Sequence, residues 1–252
     1  MIGRSFGQAG DELIIEEMLT GPEVSLLAFC DGKTAVPMLP ARDHKRALNN
    51  DEGRNTGGMG AFTPVPDVDD ALIKQIMQSV IQPTVDGMAA AGTPYVGVLY
   101  AGIMLTPNGL RVLEFNCRFG APETQVLLPM LESDLIDIMF ACINGNLDPS
   151  LVRRRTGACV TVVMAAPGYP SGYPKGLSST GLETISNRDD VMAFHAGTKQ
   201  SGDRVITNGG RVLAVTAWGE DMETAVSYAY QNVEQLFFEG AHYRTDIGKT
   251  NN

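Results

Sequence analysis

The chain has 252 residues, 44% of them hydrophobic and 19% charged, and a formal net charge of −10. Length and apolar content suit a globular protein with a sizeable core and exclude a disordered chain. The acidic balance argues against a nucleic-acid partner. No apolar run approaches the roughly 20 residues that span a bilayer, and the first residues lack the basic head, apolar stretch and cleavage site of a signal peptide. Cys30, Cys117, Cys142 and Cys159 are scattered, with no CxxC. A reduced cytosolic protein, without a zinc site or membrane contact, is expected.

In chain order, "ELIIEEM" (12–18) and "EVSLLAFCDGKTAVPML" (23–39) read as strands, the second turning at Asp31-Gly32. "LPARDHKRALNNDEGRNTGGMGAFTPVP" (39–66) has no sustained period and is too long for a passive connector. From Asp69 to Ala91, Ile73, Ile76, Met77, Val80, Val85 and Met88 recur at helical spacing, and Pro83 should kink or divide that helix. "YVGVLYAGIMLTPNGLRVLEFN" (95–116) predicts two strands joined at Pro107-Asn108-Gly109, followed by a helical stretch from Glu123 to about Ile143, interrupted at Pro129. "NGNLDPSLVRRRTG" (144–157) marks a boundary that divides the chain into 1–150 and 151–252. Short strands follow, from "ACVTVVMAAPGYP" to "RVLAVTAWG". A closing helix from about Asp221 to Phe238 carries Met222, Val226, Ala229, Val233 and Phe237 on one side.

The chemistry concentrates in "VLEFNCRFGAPETQ" (112–125). In a strand, Glu114 and Asn116 share a face, and a carboxylate beside an amide oxygen suits a hard cation such as Mg²⁺; the alternative is an ordinary solvated strand face. Arg118 could address a phosphoryl group or an acyl phosphate, or pair with Glu123 on the surface. "NTGGMG" (55–60) could bring backbone N–H groups to an anion or be a tight turn. "DHKR" (43–46) reads as a solvated basic face, and His195 as a structural histidine. "IIEEMLTGPEVS" (14–25) could line an adenine pocket or be any amphipathic strand before a turn.

Taken in order, "IEEMLTGPEVS", "DHKR", "NTGGMGAF", "GVLYAGIMLT", "VLEFNCRFG", "SDL", "VVMAAPGYP", "FHAGTK", "GGRVLAVTA" and "YRTDIG" resemble the phosphoribosylamine–glycine ligase family of the ATP-grasp superfamily. The wording is especially similar to the synthetase module of multifunctional eukaryotic purine enzymes. The resemblance implies an α/β (α+β) fold: an antiparallel ATP-grasp sheet flanked by helices in 1–150, and a small β-rich domain in 151–252. It implies ATP-dependent ligation of glycine to 5-phosphoribosylamine through glycyl phosphate, in purine biosynthesis, with Mg²⁺ or Mn²⁺. By this analogy Glu114 and Asn116 bind the metal, and Glu16, Glu17 and Leu19 border the adenine. Glu23 meets the ribose, while Arg118 and the loop of Asn55, Thr56, Gly57 and Gly58 face the reacting phosphate or the substrates.

Three positions depart from the family pattern: Ala121 where the family has Asp, Arg54 where it has Pro, and Arg42 where it has Gln. Family members also carry an N-terminal domain and a Gly-rich phosphate loop with nucleotide-holding lysines, which this sequence does not contain. Two expectations follow: a ligase that needs a separate N-terminal half, or a catalytically incomplete remnant that acts as a binding or regulatory partner.

Overall fold

A computed structural model describes residues 7–185 and 189–249. Strands β1 (Glu23–Asp31) and β2 (Ala35–Asp43) form the expected hairpin. Asp31 Oδ1 accepts from the amides of Lys33 and Thr34, and Oδ2 accepts from Leu147 N at 3.0 Å. The turn is thereby fastened to a segment more than a hundred residues away. Three short strands follow, β3 (Arg46–Leu48), β4 (Glu52–Asn55) and β5 (Gly60–Thr63), where the sequence predicted only a long connector. Four residues or fewer are too short to show an alternating pattern.

Helix α1 (Asp70–Ile76) is capped by Asp69, whose side chain accepts from Leu72 N. It passes through a π-helical turn at Met77–Ile81 into α2 (Gln82–Ala90). The wider turn lies just ahead of Pro83, which has no N–H to give and whose ring crowds the carbonyl four residues back. Strands β6 (Val96–Thr106) and β7 (Gly109–Asn116) form the second predicted hairpin. The helical stretch after Glu123 is two helices, α3 (Thr124–Leu127) and α4 (Leu135–Asn144), the second capped by Asp134 and ended by Gly145 in the left-handed region.

Beyond residue 150 come β8 (Ala158–Ala165), β9 (Ser178–Ser179), α5 (Leu182–Ile185), β10 (Val191–His195), β11 (Thr198–Ser201), β12 (Arg204–Thr207), β13 (Arg211–Gly219) and α6 (Met222–Val233). The closing helix stops short of Phe238. Phe237 instead exchanges two backbone hydrogen bonds with Thr180, which buries Leu236 and Phe238 and leaves Phe237 exposed.

An eight-stranded sheet runs in the order β10-β13-β8-β5-β2-β1-β6-β7, with antiparallel pairs throughout. The four residues of β5 stitch β2 to β8 and carry the ladder across the middle of the chain. Alternation sorts the core. Val24, Leu26, Ala28 and Cys30 of β1, with Ala101 and Ile103 of β6, pack with α1, α2 and α6 on one face. Leu27, Phe29 and Tyr100 pack with α3 and α4 on the other. "ELIIEEM" forms no strand. Its composition suits one, but a strand needs a ladder partner, and no strand pairs with it among the described residues; Ile14 and Ile15 are 89% and 93% exposed. No helix among the described residues is long and apolar enough to cross a membrane.

Candidate functional site

Strand β7 is the edge of the sheet, and its register places Asn116 opposite Tyr100 and Glu114 opposite Gly102. Directly opposed residues share a face, so both side chains lie on the face that carries Tyr100. Gly102 leaves room for Glu114, because a Cβ there would stand 3.2 Å from Glu114 Cγ. Asn116 Nδ2 donates to Glu114 Oε1 at 3.2 Å, and Arg118 Nη2 donates to Asn116 Oδ1 at 3.2 Å. Arg118 also donates to Phe119 O at 2.8 Å. The Arg118–Glu123 ion pair that the sequence left open is therefore not what orients this arginine.

These three side chains line a cavity of about 190 Å³. Its other contributors include Asp43 at the end of β2 and Lys45 just beyond it, Thr56 and Gly57, and Tyr100, Ala121 and Glu123. Sequence reasoning left Lys45 on a solvated face. In the fold it is half-buried, with Nζ 2.7 Å from Glu23 Oε2 and 3.0 Å from Asp43 Oδ1. Burial pulls the Lys45 ammonium down, but Asp43 and Glu23 outweigh it and hold its pKa above the ordinary value.

Glu123 is buried at 3% exposure. Ser25 Oγ donates to its Oε1 at 3.0 Å and lies 2.9 Å from the Tyr100 hydroxyl. Burial, and then the neighbouring Asp43, raise its pKa. Its carboxyl therefore binds a proton more tightly folded than unfolded. It weakens the fold progressively as pH rises from the unfolded value of about 4.5 through the folded value. Glu123→Gln removes that slope, so its urea midpoint relative to the unmodified chain should rise with pH across this window. A constant difference would contradict the assignment.

A second cavity of about 470 Å³ shares Asp43 and Lys45 with the first and is bordered by Glu23, Asn55, Arg42 and His44. The predicted residues thus separate. Glu114, Asn116, Arg118, Thr56 and Gly57 meet at the first cavity, while Glu23 and Asn55 border the second. Gly58 lines neither; at φ +106°, an added Cβ would lie 2.4 Å from Pro122 Cδ, so its glycine serves close packing. Glu16 and Glu17 are exposed, Leu19 is partly exposed, and none of the three borders either cavity.

The added cations of the sequence are engaged. Arg42 pairs with Asp67 at 2.8 Å and donates to Glu23 O at 2.8 Å, and Arg54 donates to Ser171 Oγ at 3.1 Å. The loop amides are also taken: Thr56 N by Lys45 O, Gly57 N by the Tyr169 hydroxyl at 3.1 Å, Gly58 N by Thr56 Oγ1 at 2.9 Å, and Met59 N by His44 O. As folded, the loop is a packed wall rather than an anion nest.

No group of three or more His, Cys, Asp and Glu side chains is placed to hold a metal among the described residues. Glu114 and Asn116, side by side at the rim of an open cavity, nevertheless offer a carboxylate and, once Oδ1 is released by Arg118, an amide oxygen. That donor set fits Mg²⁺, which takes one or two protein oxygens and completes its octahedron with water and phosphate.

The family model for the phosphoribosylglycinamide synthetase ATP-grasp (A) domain matches residues 1–124, and the model for the C domain of the same synthetase matches residues 159–250. A trifunctional purine biosynthetic protein adenosine-3 from Gallus gallus is 52% identical over 98% of this chain and 25% of its own length. A phosphoribosylamine–glycine ligase from Synechocystis is 49% identical over 98% of this chain and 59% of its own. The crystal structure of a phosphoribosylamine–glycine ligase from Thermotoga maritima superposes with a TM-score of 0.82 at 36% identity, over 92% of this chain and 56% of that one. The chain thus spans little more than half the length of these single-function relatives. Two models of one synthetase, matched in order, and relatives that align along nearly all of it show that the chain belongs to the phosphoribosylglycinamide synthetase family, with the ATP-grasp fold.

Proposed function

We propose that this chain carries the metal- and nucleotide-binding side of a phosphoribosylamine–glycine ligase of de novo purine biosynthesis. ATP phosphorylates the glycine carboxylate. The amine of 5-phosphoribosylamine then attacks the acyl carbon, phosphate leaves, and the products are glycinamide ribonucleotide, ADP and phosphate. The observation that carries this reading is the line Glu114–Asn116–Arg118 at the mouth of a cavity whose inner wall is Lys45, Asp43 and Glu123. It favours a working site over a remnant that merely binds a partner.

Glu114 and Asn116 would hold Mg²⁺ or Mn²⁺, which when bound neutralises charge on the phosphates. Arg118 presents a planar cation at the same rim and suits a phosphoryl oxygen. Lys45, kept charged by its carboxylates, adds a second cation between the two cavities. Glu23, which borders the larger cavity with Asn55, would meet the ribose hydroxyls, while Thr56 and Gly57 line the smaller cavity, with Gly58 packed behind them. Glu16, Glu17 and Leu19 would border the adenine only after the segment before β1 settles against a neighbour.

The part of the ligase that this chain does not span, as in the Synechocystis relative, would supply that neighbour. The exposed Leu13, Ile14, Ile15 and Met18, and the exposed Ile136, Met139, Phe140 and Ile143 along one face of α4, support it. A division near residue 150 into a grasp part (1–150) and a C-terminal part (151–252) fits the gap between the two matched models, and a cytosolic location fits purine synthesis.

The test is glycine-dependent release of ADP from Mg-ATP in the presence of 5-phosphoribosylamine, with this chain alone and with the remaining part of the Synechocystis relative added. Glycine-dependent turnover in the mixture is expected. ADP release indifferent to glycine, or none with both parts folded and associated, would overturn the proposal.

A further inference from the structure

One arginine outside the predicted site touches both walls of the smaller cavity. Arg211 opens β13, in the C-terminal part of the chain. Its Nη1 donates to Gly57 O and to Ala121 O, the latter at 2.8 Å. Gly57 belongs to the wall built by the loop after β4, and Ala121 to the wall built by the turn after β7. In sequence these acceptors lie 154 and 90 residues from the arginine. The guanidinium rests on the bare backbone of Gly57, where an added Cβ would stand 2.8 Å from both Cζ and Nη2.

Tyr169 completes the arrangement. Its hydroxyl accepts from Gly57 N at 3.1 Å. Its ring lies so close to Gly210 that a Cβ there would be 2.3 Å from Cδ2, and it meets Tyr173 edge-on at 6.1 Å. The anchor beneath is rigid, since Arg211 pairs with Ala165 across β13 and β8, and Ala166 N donates to Gly210 O at 2.7 Å. Both polar groups of Gly57, its N–H and its C=O, are thus held by side chains from the C-terminal part.

We infer that Arg211, supported by Tyr169, is a positioning residue that ties two adjoining walls of the cavity together and fixes the corner they offer to the triphosphate of a metal-bound nucleotide. The nucleotide rests on the function proposed above; the tie itself does not. A guanidinium suits the task because Nη1 serves both carbonyls while the rest of its rigid plane rests on the Gly57 backbone, and a lysine ammonium on a flexible stem has no such plane. The consequence is that residues beyond the middle of the chain form part of the nucleotide cleft.

The test uses the full chain and two readouts. In Arg211→Ala without ligand, the amides of Gly57 to Met59 on one wall and of Thr124 and Gln125 on the other should exchange hydrogen at least about tenfold faster, while β8 and β13 keep their protection. With Mg-ATP, the variant should lose most of the thermal stabilisation shown by the unmodified chain, and millimolar methylguanidinium should restore it in the variant alone. Rescue is the response that general loosening of the fold would not give. Unchanged exchange on either wall, or an undiminished Mg-ATP response, overturns the inference. If the unmodified chain itself ignores Mg-ATP, the nucleotide reading fails while the exchange result still decides the tie. Should Arg211→Ala not fold, Tyr169→Phe removes only the hydroxyl that holds Gly57 N–H. Faster exchange at Gly57 is then expected, and no change there counts against the arrangement.

Discussion

Replacing Arg244 with leucine is expected to cost about 3–5 kcal/mol of stability, the range for breaking a buried ion pair from one side. Arg244 is 1% exposed. It holds Asp246 with two hydrogen bonds, Nε to Oδ1 at 2.7 Å and Nη2 to Oδ2 at 2.6 Å, and reaches Asp51 Oδ1 at 2.7 Å and Arg46 O at 3.2 Å through Nη1. Asp51 is largely exposed, so most of the cost comes from Asp246, left partly buried without its counter-charge, and from the carbonyl of Arg46. Neighbouring bonds fasten the same junction: Asn49 to Thr245 in both directions, Asn50 N to Asp246 Oδ2, and the Tyr230 hydroxyl to Arg244 O. The junction pins the C-terminal segment to β3 and its following turn, immediately beyond His44 and Lys45. A lower urea midpoint with an unchanged m-value is the expected result, and an unchanged midpoint would contradict it. Arg244→Lys should recover only part of the loss, since an ammonium cannot make the paired contact to Asp246.

Replacing Glu114 with alanine should leave stability nearly unchanged and weaken Mg-ATP binding by about tenfold or more. Glu114 sits on an exposed edge strand, and among the described residues its side chain has one hydrogen bond, from Asn116 at 3.2 Å. Surface changes of this kind usually stay within about 0.5 kcal/mol. Its proposed role is different in kind, because it is the only carboxylate of the oxygen pair facing the cavity mouth, and a divalent cation held by two protein oxygens cannot lose the charged one cheaply. ATP with a chelator present should therefore bind the unmodified chain as weakly as Mg-ATP binds the variant. Calorimetric titration reads both, and equal affinities for Mg-ATP in the variant and the unmodified chain would contradict the role.

Much of the fold is legible because its long strands are apolar runs set off by turn residues, and β1 and β8 are buried almost end to end. The two-residue period of a strand puts Glu114 and Asn116 on one face. Asp221, where the sequence places the start of the closing helix, is that helix's N-cap, whereas Asp134, the N-cap of α4, lies inside what reads as one helical stretch. What was not legible is what depends on partners far along the chain. "ELIIEEM" has the composition of a strand, yet pairing lies outside a strand's own sequence. The four residues of β5, which bridge the two regions of the sheet, are too few to carry a period. Lys45 reads as surface until Glu23 and Asp43 fold beside it. Gly57 and Gly58 read as an anion-binding loop or a tight turn, whereas Arg211, Tyr169 and Pro122 supply the reason for their small size. The end of α6 is set by Thr180, more than fifty residues earlier, and not by any breaker in the helix itself.

The proposed function requires this chain to present a metal-dependent nucleotide site. Thermal unfolding of the unmodified chain with ATP alone, Mg²⁺ alone and Mg-ATP addresses it directly. A ligand bound only by the folded state adds about 2.7 kcal/mol at a hundredfold excess over Kd. A rise in the unfolding temperature with Mg-ATP, absent or much smaller with either component alone, is the predicted result. A well-folded chain with the same unfolding temperature in all conditions would contradict the claim.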